Sequence, residues 1–347
     1  MKILSIANTP DDNQIIQVPD MADSMEEELD EFLQNYDLDS LVTEPDGKPG
    51  LKIQALRTCR FCGKKKPEVT FRKVAHTIPQ LMGNQFLISD FECDACNELF
   101  NRYEGDLTAF MGLSRTLSLT KGKRGVPGYG KKEDKLQVAY DKEVHKINII
   151  FDGLDNEHYQ IDEQQKTLTV HTVKRPYVPI NVFRIFLKMG LCYMDAGALA
   201  ELGNIFGFLR DNSKDAQLVG NPLFNLYTHT LPGKLSHCLV LRFKRKLDAA
   251  IAHCPKYSFV IYSGSKVFQF YMPFHLADHA TFSSVGNVHL SFCPPFLSKG
   301  KSDLYGVPRR RRWDQSVHQK ISGENEMITL RYDDIRFYGD GETPDPS

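Results

Sequence analysis

The sequence predicts an α+β protein in which a small cysteine-containing module precedes a larger domain of mixed helices and strands. Two Cys-x-x-Cys pairs enclose a strand–loop–strand pattern, and an amphipathic helix begins at the second pair. Beyond residue 136, several strand-like runs surround one long apolar helix, predicted over residues 180–202. The chain has 347 residues, of which 41% are hydrophobic and 25% charged, which is enough for about two domains of roughly 150 residues each.

Charge is distributed unevenly along the chain. Residues 1–47 contain 13 Asp or Glu and one Lys, a net charge of −12, whereas residues 48–347 contain 42 Lys or Arg and 31 Asp or Glu, a net charge of +11. A basic body suits an anionic partner such as nucleic acid, although a well-solvated surface has the same composition.

The acidic N-terminal segment, residues 1–50, contains one predicted helix over residues 20–36. Apolar residues recur there at helical spacing, and Asp, Pro and Gly follow as helix breakers. The favoured interpretation is a solvated extension, with the helix on flexible arms. Two alternatives are that its carboxylates lie in a basic groove and keep nucleic acid out, and that the helix docks a partner protein. The apolar positions are Met25, Leu29, Phe32 and Leu33.

The cysteines predict a metal site rather than disulfides. No run of about 20 apolar residues could span a membrane, and polar residues follow Met1 too soon for a signal peptide, so we expect a cytoplasmic protein with reduced thiols and no membrane partner. Cys59, Cys62, Cys93 and Cys96 then supply the four thiolates of a structural zinc site. The other four cysteines are expected to be buried small hydrophobic residues; they are Cys192, Cys238, Cys254 and Cys293.

The residues between the cysteine pairs predict two strands joined by a loop. Alternation indicates a strand over residues 69–75 with His76 near its end, a loop over residues 79–84, and a second strand over residues 86–91. The helix that follows has an apolar stripe, and on another of its faces are Asn97, Asn101 and Glu104.

This arrangement resembles the zinc-stapled HNH endonucleases, which are ββα-metal nucleases, over residues 56–110. The motifs that carry the resemblance are Cys59-x-x-Cys62, Ala75-His76-x-Ile78-Pro79, Gly83-Asn84 and Cys93-x-x-Cys96-Asn97. Residues from Leu113 onward and from Arg175 onward are also similar to bacterial HNH proteins that carry an additional C-terminal domain.

The resemblance implies a role for each polar residue of the module. His76 is expected to be the general base that deprotonates the attacking water, and Asn84 to orient His76 by a hydrogen bond. Asn97 is expected to bind the catalytic Mg²⁺ or Mn²⁺, with Asn101 and Glu104 as further candidate ligands. An imidazole with an ordinary pKa near 6.5 can accept a proton near neutral pH, and Mg²⁺ takes oxygen ligands.

One position departs from the family pattern. Many HNH nucleases have an acidic metal ligand directly before the base, where this chain has Ala75. Either Asn97 and its helix neighbours hold the metal alone, or Asp90 or Glu92 reaches in. A third possibility is a decayed site, which would make the protein a non-catalytic zinc-knuckle module that binds nucleic acid.

Two basic runs are candidates for contacts with the phosphate backbone. The first is a Gly-rich stretch over residues 120–135 that also has the composition of a linker. The second precedes Trp313, which could stack on a base or pack on the core. The basic residues are Lys121, Lys123, Arg124, Lys131 and Lys132 in the first run, and Arg309, Arg310, Arg311 and Arg312 in the second.

The domain organisation predicted from these features has four parts. An acidic extension covers residues 1–50, the HNH domain residues 51–119, a basic linker residues 120–135, and an α+β domain residues 136–347. The last part would select the substrate, sense a signal molecule or partner protein, or form a homo-oligomer. The expected function is metal-dependent DNA cleavage, with RNA as a second possible substrate; the resemblance to bacterial HNH proteins makes restriction or phage defence plausible.

Overall fold

The computed structural model describes residues 2–5, 15–44, 57–130, 136–143, 145–151, 158–210, 219–279, 288–332 and 335. Helices and antiparallel sheets are mixed within these ranges, which confirms the α+β class. None of the helices described there has both the length and the apolar character that a membrane crossing requires.

A six-stranded antiparallel sheet forms the centre of the structure. Two inner strands, residues 257–263 and 266–271, are buried on both faces, so they are mainly apolar and aromatic runs rather than alternating patterns. The inner strand over residues 225–230 is also buried but contains the polar residues Asn225, Thr228 and His229. In spatial order the strands are β14 (Arg311–Asp314), β10 (Asn225–Thr230), β13 (Lys266–Tyr271), β12 (Tyr257–Ser263), β11 (Leu239–Arg245) and β3 (Tyr36–Thr43).

The acidic segment is part of this fold. Helix α1 (Asp23–Asn35) buries Met25, Leu29 and Phe32 in the core on one face of the sheet, and the ring of Phe32 meets Phe243 at 4.9 Å. The chain continues directly into β3, which pairs with β11 along the sheet edge. The expectation of a solvated extension on flexible arms is therefore wrong for residues 23–43, because their apolar positions complete a core.

Helix α4 (Pro179–Cys192) covers the opposite face of the sheet and is buried along nearly its whole length. The Asp106 carboxylate accepts hydrogen bonds from the Val178 backbone N–H and from Asn181 Nδ2, both at 2.9 Å, at the start of this helix. The single helix predicted over residues 180–202 is wrong beyond residue 192. Asp195 caps a separate helix, α5 (Ala196–Ala200), by accepting from the Ala198 N–H at 2.9 Å.

The cysteine-containing module has the predicted strand, loop, strand and helix order. It consists of β4 (Ala75–His76), a 3-10 turn (Gln80–Met82), β5 (Ile88–Ser89), α2 (Asp94–Met111) and α3 (Ser114–Leu117). The two strands are shorter than predicted because the backbone before them has other partners. The N–H groups of Arg72 and Lys73 donate to the Asp94 carboxylate at the start of α2, at 2.9 and 2.8 Å.

The remaining elements form smaller sheets around the central one. A three-stranded sheet contains β8 (Tyr159–Asp162), β9 (Thr167–Val173) and β15 (Asn325–Arg331), and it shares a third core with the hairpin of β6 (Leu136–Asp141) and β7 (Lys146–Phe151). A further hairpin consists of β1 (Lys2–Ser5) and β2 (Ile15–Val18). The other helices are α6 (Ile205–Arg210) and α7 (Lys299–Tyr305).

One hydrophobic core joins the module to the C-terminal half of the chain. It contains Phe100 and Leu107 of α2 together with Phe183 and Phe186 of α4. The predicted linker over residues 120–135 therefore does not divide two separate cores. Tyr129, within the predicted linker, pairs with Val138 of β6 through backbone hydrogen bonds of 2.8 and 2.9 Å.

Removing the buried ring of Phe32 should destabilise the whole fold, because α1 completes a core. Phe32→Ala is expected to lower the free energy of unfolding by about 3 to 5 kcal/mol, measured by chemical denaturation. Glu27→Ala, on the exposed face of the same helix, should change it by less than about 0.5 kcal/mol. Equal stability of the two variants would restore the interpretation of a solvated extension.

Candidate functional site

The four cysteines of the two pairs come together at one point. Their sulfur atoms all lie within 4.8 Å of one another, and they are the only such group of three or more His, Cys, Asp or Glu residues in the described part of the chain. Cys59 Sγ lies 3.7 Å from Cys96 Sγ, and Cys62 Sγ lies 3.8 Å from Cys93 Sγ. A tetrahedral zinc ion with Zn–S bonds of about 2.3 Å requires this spacing, so the site fits a structural zinc ion.

Backbone hydrogen bonds hold the two cysteine turns in place. Gly63, at φ +72°, closes the first turn by donating its N–H to the Cys59 carbonyl at 2.8 Å. The Arg60 N–H donates to the Phe91 carbonyl at 2.9 Å and so joins the two cysteine turns. The hydrogen bond between the sulfur atoms of Cys59 and Cys96 lowers the pKa of Cys59 to about 4, although burial opposes the shift.

His76 lies at the end of β4, where it pairs with Ile88 of β5. Its side chain is half-buried, and within the described residues its buried Nδ1 has no hydrogen-bond partner. Burial lowers the pKa of His76, the charges of Lys188 and Lys123 lower it further, and Glu44 opposes them. The imidazole is consequently neutral near pH 7 and able to accept a proton.

Asn84 is fully buried and holds the loop between the two strands. Its amide nitrogen donates to the Ile78 and Leu87 carbonyls at 2.6 and 3.0 Å, and its amide oxygen accepts from the N–H groups of Phe86 and Leu87 at 3.1 and 2.8 Å. The expected hydrogen bond from Asn84 to His76 is wrong, because the loop backbone uses both ends of the amide. Asn84 acts on His76 only by shaping the loop.

The predicted metal ligands lie on α2, the helix that packs against the core of the module. Asn97 and Glu104 are half-buried, and Asn101 is exposed. Burial raises the pKa of Glu104; the charge of Lys188 opposes this rise and that of Glu92 adds to it. The Glu92 carboxylate is buried and forms an ion pair with Lys188 Nζ at 3.1 Å, so it already has a cationic partner.

Comparison with known proteins identifies the module. Residues 59–105 match the family model described as HNH endonuclease. These residues form an HNH module. The match, together with the cysteine cluster, supports nuclease activity in general and nucleic acid as the substrate class. No curated protein and no solved structure matches this chain.

The C-terminal half of the chain contacts the HNH module through α4. Lys188 Nζ donates to the His76 carbonyl oxygen, and the Thr77 hydroxyl lies 2.6 Å from the Tyr193 hydroxyl. Arg60 donates to the carbonyls of residues 191, 192 and 194, at 2.6, 3.1 and 3.0 Å, where α4 ends. The sequence pattern did not single out Lys188, although a lysine within the apolar run of α4 is the signal that could have found it.

The HNH loop also docks on the central sheet. The Met82 carbonyl accepts hydrogen bonds from the Cys238 thiol at 3.3 Å and from the Ser263 hydroxyl at 2.5 Å. Cys238 is buried, as are Cys192, Cys254 and Cys293, which confirms that these four cysteines are core residues. Cys238 directly precedes β11 and Ser263 is the last residue of β12, so the ends of two neighbouring inner strands hold the loop.

The first basic run borders the HNH module. Lys121, Lys123 and Arg124 are exposed, and the side chain of Gln85 donates to the Lys121 carbonyl at 3.4 Å. The charge of Lys123 is close enough to His76 to affect its pKa. Lys131 and Lys132 lie outside the described residues.

The second basic run belongs to a sheet edge. Arg311 and Arg312 are exposed residues of β14, while Arg310 contacts Glu28 of α1 and stacks on the Phe292 ring at 3.8 Å. Arg309 is exposed directly before them. Trp313 packs against Phe110 at 5.3 Å, and its Nε1 donates to the Thr228 hydroxyl at 2.9 Å. The Trp313 ring therefore packs against the core and is not free to stack on a nucleic-acid base.

Zinc content should depend on the clustered cysteines alone. The wild-type protein is expected to bind about one zinc ion per chain, measured by atomic emission, because four thiolates fill one tetrahedral site. Cys62→Ala should lose this zinc, whereas Cys254→Ala, a buried cysteine outside the cluster, should retain it. Stripping the zinc should also unfold the module, visible as a decrease in secondary structure, since folding and metal binding are coupled. Full zinc content in Cys62→Ala would refute the assignment.

Proposed function

We propose that this protein is a metal-dependent endonuclease that hydrolyses phosphodiester bonds in DNA. The observation that carries the proposal is the place of His76: a neutral imidazole at the end of β4, within a cysteine-stapled ββα module, with no partner for its buried Nδ1 among the described residues. A neutral imidazole that can accept a proton at this position is what general-base catalysis requires.

His76 would take the proton from the water that attacks the phosphorus atom. Its lowered pKa keeps the imidazole in the basic form near neutral pH. Lys188 donates to the His76 carbonyl, and β4 pairs with β5. These two contacts would fix the His76 backbone and so keep the imidazole in one orientation during proton transfer. The position of His76 matters because a general base that is displaced by about 1 Å loses much of its catalytic effect.

The α2 helix would supply the ligands of a Mg²⁺ or Mn²⁺ ion. When bound, such an ion neutralises charge on the phosphate and the leaving oxygen. Asn97 and Glu104 are half-buried on the same helix face, with Asn101 more exposed beside them, and these oxygen donors suit a hard cation that keeps most of its waters. Because Ala75 offers no ligand and Glu92 is paired with Lys188, we expect the metal to bind weakly.

The DNA backbone would pass along the first basic run. Lys121, Lys123 and Arg124 project from a loop that touches Gln85 of the HNH module, close to His76. The exposed Arg309, Arg311 and Arg312 provide a second cationic edge. Backbone contacts of this kind carry little sequence information, so RNA is a second candidate substrate. If the protein acts in restriction or phage defence, its substrate would be foreign DNA.

Loss of the His76 imidazole should abolish cleavage without unfolding the protein. With Mg²⁺ or Mn²⁺, we expect the wild type to nick or linearise supercoiled plasmid, and His76→Ala to be slower by about 10² to 10⁴-fold. His279→Ala, an exposed histidine of the C-terminal domain, serves as the matched control and should cleave normally. EDTA should stop the reaction.

Equal cleavage by wild type and His76→Ala would reject the catalytic role of His76. DNA binding without cleavage by either protein, at full zinc content, would favour the non-catalytic zinc-knuckle alternative. Preferential cleavage of an RNA of matched sequence would replace DNA as the substrate.

Neutralising the first basic run should weaken binding in a salt-dependent way. The triple variant Lys121→Ala, Lys123→Ala, Arg124→Ala is expected to reduce the slope of log K against log salt by about 0.9 for each phosphate that the variant no longer neutralises. Lys299→Ala, an exposed lysine that pairs with Asp23, is the control and should leave the slope unchanged. Fluorescence anisotropy with a DNA duplex at several salt concentrations measures the slope. An unchanged slope in the triple variant would place the DNA elsewhere.

A further inference from the structure

The acidic segment contacts the HNH module at the residue that follows its strand β3. Glu44, directly after β3, accepts hydrogen bonds from the backbone N–H groups of Gln85 and Phe86, the latter at 3.1 Å. Its side chain is only 2% exposed, and its second oxygen lies 3.5 Å from His237 Nδ1. A buried carboxylate that binds two backbone N–H groups is a strong, charge-assisted anchor.

The loop that Glu44 holds is connected to His76 by two further steps. The Asn84 amide oxygen accepts from the N–H groups of Phe86 and Leu87. The Leu87 carbonyl in turn accepts from the Thr77 N–H at 3.0 Å, directly after His76. Displacement of residues 85–86 would therefore be transmitted to the backbone that carries the imidazole.

The HNH strands need such an anchor because they are very short. β4 and β5 contain two residues each, and a two-stranded pair of this length is not stable by itself. The turn at Met82 is already held by Cys238 and Ser263 of the sheet. Glu44 fixes the other half of the loop, between Asn84 and β5, by accepting hydrogen bonds from its backbone.

We propose that Glu44 is a positioning residue of the nuclease centre, which fixes the Gln85–Phe86 backbone and thereby the orientation of His76. The proposal rests on the proposed function for its catalytic consequence. It makes the end of the acidic segment a required part of the site, although this residue lies outside the matched residues 59–105. Removing the segment would impair catalysis instead of relieving inhibition.

The test combines hydrogen exchange with cleavage kinetics on the full chain. In Glu44→Ala, exchange of the Gln85 amide should accelerate by about tenfold or more, the equivalent of one charge-assisted hydrogen bond. The Phe86 amide, which also donates to Asn84, should accelerate by a smaller factor. The kcat for plasmid cleavage should fall by about tenfold with KM within about twofold, because a misplaced base affects the reaction and not DNA binding. Glu44→Gln, which keeps an acceptor oxygen, should restore most of both properties.

Asp37→Ala is the matched control on the same strand, since Asp37 is exposed and pairs only at 3.6 Å with Lys246 in the described structure. It should behave as wild type. Zinc content and circular dichroism report folding, and Glu44→Asp, one methylene shorter, replaces Glu44→Ala if that variant does not fold. A shorter carboxylate should also release the two amides.

Each outcome decides one step. Unchanged exchange at Gln85 and Phe86 would overturn the anchor, whatever the activity. Faster exchange with unchanged kcat would overturn the positioning role while leaving the nuclease assignment intact. Absence of cleavage by the wild type with Mg²⁺ or Mn²⁺ would reject the proposed function, and the exchange result alone would then decide whether Glu44 holds the loop.

Discussion

The contact between α4 and the HNH module is the interaction on which the rest of the structure depends. One side of α4 packs on the central sheet and another on α2, so this helix joins the module and the sheet in one hydrophobic core. Two positively charged side chains fix the orientation of α4. Arg60 binds the carbonyls at its C-terminal end, where the helix dipole is negative, and Lys188 reaches from its middle to Glu92 and the His76 carbonyl. The zinc-binding turn and the strand of His76 are therefore both connected to the same helix.

This arrangement explains how a module with two-residue strands can hold His76 in place. The zinc site fixes one end of the module, and the sheet supplies partners for the other. Glu44 follows the edge strand β3 and Lys188 belongs to α4, so the contacts to the loop and to the His76 carbonyl come from distant parts of the chain. A buried lysine is costly unless it is paired, and the Glu92 carboxylate at 3.1 Å provides that pairing.

The sequence was most informative where chemistry restricts the choice of residues. The Cys-x-x-Cys pairs could be assigned to one cluster because a metal site requires particular side chains at particular spacings. The strands β7, β9, β11, β12 and β13 could be located from their apolar runs, whereas β3 and β14 could not. Asp37 and Asp39 in β3 and the arginines of β14 are tolerated because both strands lie at sheet edges, where one side faces solvent. Long-range partners such as Glu44 leave no local pattern.

Chemical rescue tests the central role of His76 most directly. If His76 is the general base, free imidazole added to His76→Ala should restore metal-dependent plasmid cleavage in proportion to its concentration, because a small base can enter the space left by the side chain. The same imidazole should not accelerate the wild type. Cleavage by His76→Ala at the wild-type rate without imidazole would contradict the role of His76 as base.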